Sequence, residues 1–284
     1  MYRLWIEQVR GGRKLLQAIG TVFVLWGALC SAVWGTPTEM ADMAGKATTA
    51  STETQDAGQM LARADHYRSD GGDIKVVSEV SLYEEGSLDK RRRYHVYTRA
   101  KRESLVVFKS DVEAGQKMLM LGDNYWLLMP KSRRPIRITP MQKLLGEASV
   151  GDISTLTWSQ DYAGQWRGSE TIEAIDGKPV LANKLVLEAT LGGASYHRIE
   201  LWLEAGSDFP LKANLYLRSG KMAKVAYYHR GIRDGSPAVV AMTLLDQIQP
   251  ERKTVIEYVA FAPSALADKY FNPAYLSRNG VSEL

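Results

Sequence analysis

The chain has 284 residues, 45% hydrophobic and 24% charged, with 36 basic against 32 acidic residues and one cysteine. That balance is ordinary for a globular protein, and a lone cysteine excludes a disulfide framework or a cysteine-rich metal site. The length admits two domains or one large β domain.

Residues 1–35 read as a secretory signal. Arg3, Arg10, Arg13 and Lys14 precede the apolar run LLQAIGTVFVLWGALCSAV, and the small-residue exit Val33-Trp34-Gly35 follows. An uncleaved inner-membrane anchor is the rival reading, because the run is long for a signal. Cys30 lies inside it, so removal would leave no cysteine. Removal would also leave 32 basic against 31 acidic residues, too even a charge to hold nucleic acid. Residues 36–54, rich in Ala, Thr, Ser and Met, cannot bury enough surface to offset their ordering entropy and read as a flexible tether.

TETQDAGQMLARADHYRS then has helical spacing, with Met60, Leu61 and Ala64 on one face and SDGG as its stop. After Gly72 the period becomes two. Strands are predicted at IKVVSEVSLY, RRYHVYTRA, SLVVFKS, KMLML, YWLLM and PIRIT, separated by EEGS, EAGQ, GDN and PKSRRP. Met141–Tyr162 breaks the series and reads as two short helices, the first carrying Met141, Leu144 and Leu145, the second Ile153, Leu156 and Trp158. About five or six further strands follow. In two of them His197, Ile199, Leu201 and Leu203, then Leu211, Ala213, Leu215 and Leu217, alternate with polar residues, as in an antiparallel sheet wetted on one side. A sheet this long must curl, and the first helix and the insert are the available covers for its apolar face.

Little in the chain points to catalysis. His66, His95, His197 and His229 are scattered without metal-ligand spacing, and neither GxSxG nor a phosphate-cradling loop occurs. No metal, cofactor or catalytic residue is assigned. Met118, Met120, Met129 and Met141 gather in one region, where adaptable side chains suit either a core or a ligand cavity. The basic run after Pro130 also has two readings. Arg133, Arg134 and Arg137 form a solvated strand edge that discourages edge-to-edge pairing, or Arg137 reaches carbonyls of a covering helix.

The order ARADHYR, LVVF, GQKMLML, NYWLLMPKSRRPIRITP, LLGEASVGDIS and YFNPAYL resembles the outer-membrane lipoprotein-sorting family over roughly residues 55–276, with 277–284 left as a C-terminal tail. The resemblance implies a LolA/LolB-like fold, a mainly β, unclosed antiparallel half-barrel with a helical lid. It implies a periplasmic, non-catalytic carrier of a lipid or lipoprotein acyl chain, with transfer toward the outer membrane. It allows, as the alternative, a monomeric accessory subunit of an RND-type exporter. In carriers of the LolA type a strand arginine bonds the lid, and Arg137 is the counterpart suggested here. The expected cavity and lid residues are Phe108, Leu119, Trp126, Leu128, Arg137, Ile138, Met141, Leu144 and Leu145.

Overall fold

The computed structural model describes residues 56–69, 71–154, 157–247, 251–279 and 284. The expected signal, the tether and Leu156 lie outside the described residues. Helix α1 (Ala57–Arg68) leads into six strands: β1 (Ile74–Glu84), β2 (Ser87–Arg99), β3 (Glu103–Phe108), β4 (Lys117–Leu121), β5 (Asn124–Leu128) and β6 (Ile136–Ile138). An insert follows, made of β7 (Lys143–Leu145), β8 (Ala148–Ser149) and helix α2 (Val150–Ser154). Seven strands then complete the sheet: β9 (Tyr162–Glu173), β10 (Pro179–Ala189), β11 (Arg198–Glu204), β12 (Pro210–Tyr216), β13 (Met222–Arg233), β14 (Ser236–Asp246) and β15 (Arg252–Pro263). Helix α3 (Pro273–Arg278) lies near the C-terminus.

Thirteen strands form one antiparallel sheet in the order β6-β5-β4-β3-β2-β1-β15-β14-β13-β12-β11-β10-β9. Each half is a meander, and the halves join where β1 pairs with β15 along the whole of β1. Tight turns drive the meander. Glu85-Gly86 and Asp234-Gly235 both have positive φ at each residue, the conformation that matches the twist of a two-residue hairpin. The edges β6 and β9 do not pair, so the large sheet stays unclosed, a LolA-like half-barrel.

Cross-strand registers sort the side chains. On the concave face Val96, Val106, Met118, Leu127 and Ile136 stand opposite one another across β2–β6. On the convex face the corresponding row is Tyr97, Leu105, Leu119, Trp126 and Arg137. The main core gathers concave residues from both halves with Met60, Leu61 and Ala64 of α1 and Val150 and Ile153 of α2. A second cluster packs Leu105, Leu119 and Leu128 under Tyr270, Phe271 and Leu276.

The insert departs from the two expected helices. Its first part is the β7–β8 hairpin, because Gly146 at φ +54° turns the chain back after only three strand residues. Its second part is helical, though only five residues long. Strand β9 carried little sequence signal because it is an edge strand, with most of its residues exposed or half-buried and two glycines in its run.

Candidate functional site: a covered hollow in the half-barrel

The concave face is roofed by α1 and the insert, and buried polar contacts fix both covers. At the first of them Asp56 caps α1, accepting from the Gly58 and Gln59 N–H groups at 2.9 and 3.3 Å. Asp65, one turn from the helix end, accepts from the N–H groups of Trp158 and Ser159 at 2.7 and 2.8 Å. Burial pushes its carboxyl up, against the opposing pull of Arg68 and those two N–H groups. The Arg68 guanidinium lies 4.0 Å over the Trp158 ring. Arg63 reaches Asp208 at 2.6 Å, and the Tyr67 hydroxyl donates to the Ser207 carbonyl at 2.9 Å.

The insert is held by a fully buried ion pair. Lys224 on β13 lies 2.9 Å from Asp152 of α2 and also donates to the Glu147 carbonyl. Asp152 further accepts from the Tyr196 hydroxyl at 2.6 Å and from the Ser149 N–H and hydroxyl at 2.7 Å each. Burial alone would raise the Asp152 pKa. Lys224 and the hydroxyls outweigh it and hold the carboxyl below its usual range. Behind the insert, Arg102 bridges Asp123 at 2.6 Å and buried Asp161 at 2.9 Å, linking the β2–β3 turn to the start of β9. Burial raises the Asp161 carboxyl, with Arg102 opposing.

Beneath these contacts the recesses are small, and one of about 100 Å³ lies beside Met120, Ser154 and Thr157. A cavity of about 30 Å³ remains between Arg68, Trp158, Tyr162, Tyr196, Tyr228 and Met242. It has room for about one water and none for an acyl chain. Larger recesses lie at the rim on both sides of the β7–β8 hairpin. One of 240 Å³ is bordered by Met141, Lys143, Leu217 and Met222, and one of 380 Å³ by Leu82, Leu144, Leu145 and Thr254. The hairpin is thus a plug between two partly apolar recesses.

The structure divides the nine expected site residues. Phe108 belongs to the concave core, and Ile138, Met141, Leu144 and Leu145 pack half-buried against it. Leu119, Trp126 and Leu128 lie in the convex cluster instead. Strict alternation explains this correction: in β4 and β5 the residues facing the hollow are Met118, Met120, Tyr125 and Leu127, so their neighbours face outward. Arg137 shares the outward row. It is exposed, donates to Asn124 Oδ1 at 2.6 Å and stacks 4.8 Å over Trp126, so it bonds no covering helix. Among the methionines, Met118, Met120 and Met141 gather at the core, whereas Met129 is exposed. Among the described residues no three His, Cys, Asp or Glu side chains come together as a metal site.

Asp152 and Lys224 were missed by sequence reasoning. The signal was present in AKVAYYH, where Lys224, Ala226 and Tyr228 share one parity and the lysine takes an inward slot. Its partner sits 72 residues away in chain number, and no spacing marks it.

An unclosed antiparallel sheet with an apolar concave side beneath a helix and an insert is a LolA-like fold. The chain belongs to the family whose model, described as "Uncharacterized protein", matches residues 100–278. A LolA superfamily protein from Nitrosomonas europaea has a similar structure, with a TM-score of 0.69 and 25% identity, over 77% of this chain and 98% of that one. A DUF1329 family protein from Desulfovibrio piger is similar in fold, with a TM-score of 0.62 and 20% identity, over 78% and 98%. So is a domain assigned to outer membrane lipoprotein sorting from Vibrio parahaemolyticus, with a TM-score of 0.60 and 19% identity, over 78% and 98%. No curated protein matches the sequence.

Proposed function

We propose that this protein is a non-catalytic carrier of the cell envelope, working in the periplasm, that shelters a lipid or lipoprotein acyl chain in the concave hollow during transfer toward the outer membrane. Burying apolar carbon is worth ~0.8 kcal/mol per methylene, so a sixteen-carbon chain resists leaving a bilayer by on the order of 12 kcal/mol. It crosses water only inside a comparably apolar pocket that also opens. The observation that supports this reading is the pairing of an apolar concave face with covers tied by a few polar contacts rather than by covalent links. The covered interior is then the empty state, and cargo enters as the β7–β8 hairpin swings outward, with Leu144 and Leu145 lining the opened hollow.

Leu144→Glu tests the reading. Leu144 is half-buried on the plug, so a charge there should weaken binding of a fluorescent fatty acid by at least about tenfold, one lost tenfold being 1.4 kcal/mol. The far-UV circular dichroism of the sheet should stay unchanged. Equal affinity in the variant removes the hairpin from the site. Native mass spectrometry of protein drawn from membranes supplies the companion result. Co-purifying lipid supports carriage, whereas a uniformly empty protein bound to a stoichiometric membrane partner assigns the fold to docking on an exporter.

A further inference from the structure

The basic run that follows β5 plays no part in the hollow. Lys131, Arg133, Arg134 and Arg137 are all exposed, and among the described residues none lies within ion-pair distance of a carboxylate. Several arginines elsewhere are matched, although Arg167 on β9 and Arg218 also have no ion pair among the described residues. Arg63 meets Asp208, Arg92 meets Glu113, Arg93 meets Glu79, Arg99 meets Asp268, Arg102 meets Asp161 and Arg230 meets Glu204. Protection of an open sheet edge explains a cation on β6 itself, which is Arg137. It does not reach Lys131, Arg133 and Arg134, which stand in the preceding loop, where Ser132 bonds the Arg134 backbone and fixes the turn.

Apolar side chains are interleaved with these cations. Met129 is 36% exposed and Ile136 48% exposed, at the two ends of the run. Beside Met129 and Pro130 opens a recess of 440 Å³ with Arg278 on its border, where buried Lys117 donates to the Leu276 and Asn279 carbonyls, Lys109 donates to Leu284, and exposed Asp111 stands on the adjoining turn. Glu113, on the adjoining turn, is already engaged by Arg92. Exposed cations mixed with exposed aliphatics match the boundary layer of an anionic bilayer, where phosphates lie above acyl carbon.

We propose that the loop between β5 and β6 docks the protein onto an anionic phospholipid surface, with Lys131, Arg133 and Arg134 meeting lipid phosphates and Met129 entering the headgroup boundary. The run leads directly into the cover: the Gly151 N–H of α2 donates to the Pro140 carbonyl at 2.9 Å, and the Val150 N–H to the Gln142 carbonyl at 3.0 Å. Docking therefore brings the plug to the lipid surface. The proposal holds whatever the hollow carries, since its test uses no cargo.

Amide hydrogen exchange of the full chain reads the face directly, so membrane contact by other segments does not obscure it. Vesicles of phosphatidylcholine with about one-third phosphatidylglycerol should slow exchange across residues 129–137, and pure phosphatidylcholine vesicles should not. Arg133→Glu with Arg134→Glu should abolish that protection and weaken vesicle flotation by about tenfold or more. Arg167→Glu with Arg218→Glu, which removes two exposed arginines elsewhere, should retain both. Exchange unaltered by anionic vesicles, or protection that persists in the 133/134 variant, overturns the proposal. Protection by soluble polyglutamate but not by vesicles also overturns it and assigns the face to an acidic protein.

Discussion

Lys224 shows what one side chain holds in place. It is among the largest fully buried residues, and among the described residues its charge is balanced by Asp152, with the Glu147 carbonyl as a further acceptor. Lys224→Met leaves Asp152 without its cation and should destabilise the protein by about 3–5 kcal/mol in urea unfolding, the usual cost of breaking a buried pair. Asp152→Asn should act similarly at neutral pH. The folded pKa of Asp152 lies below its unfolded value, so its stabilising contribution is complete above about pH 4 and is lost as pH falls through the folded value. The gap between wild type and Asp152→Asn should therefore shrink below about pH 4. A gap that stays constant with pH would place the stabilisation elsewhere. Asp65 and Asp161 have the opposite sign, since burial raises both, and their charged forms cost stability that acidification returns.

Among the elements, the insert carries most of the interest and was the least legible. Alternating or short apolar runs bounded by turn signals announced β1–β6 and β11–β15, with β3 and β4 buried on both faces. The insert has no such regularity. Its hairpin is three residues against two, held by Gly146 and by the Glu147 N–H donating to Thr254 Oγ1 at 2.9 Å. A Cβ on Gly146 would stand 2.3 Å from Thr254 Oγ1 and 2.9 Å from Leu82 Cδ1, at a φ that disfavours any side chain. Gly146→Ala should cost about 1–3 kcal/mol in thermal unfolding and lift the plug, so that fatty-acid binding accelerates. Loss of stability with slower binding would mean that entry does not pass through displacement of the hairpin. The parity of β4 and β5 was legible in principle: with Met118 and Met120 inward, Leu119, Trp126 and Leu128 had to face outward. Only coordinates could show that α3 and the preceding Tyr270 and Phe271 waited there to cover them.

On the scale of the whole molecule, recesses of about 30 and 100 Å³ beneath the covers are too small for an acyl chain, so the proposed carriage requires opening before loading. In stopped-flow measurements the observed association rate of a fluorescent fatty acid should rise with concentration and then level off at the opening rate. A rate that climbs linearly throughout would place the ligand on the outside of the sheet. The resemblance conveyed the half-barrel and its lid, whereas the covered state and the buried latch between Asp152 and Lys224 came from three-dimensional packing alone.

The seam where β1 lies beside β15 also governs timing. A ribosome finishes β1 well before it reaches residue 263, and until then one flank of that strand has no neighbour and the concavity lacks its second wall. Pairing across such a sequence separation is slow to form and leaves a growing chain exposed to aggregation. The two halves of the concavity are consequently joined late, only once β15 is available to pair with β1.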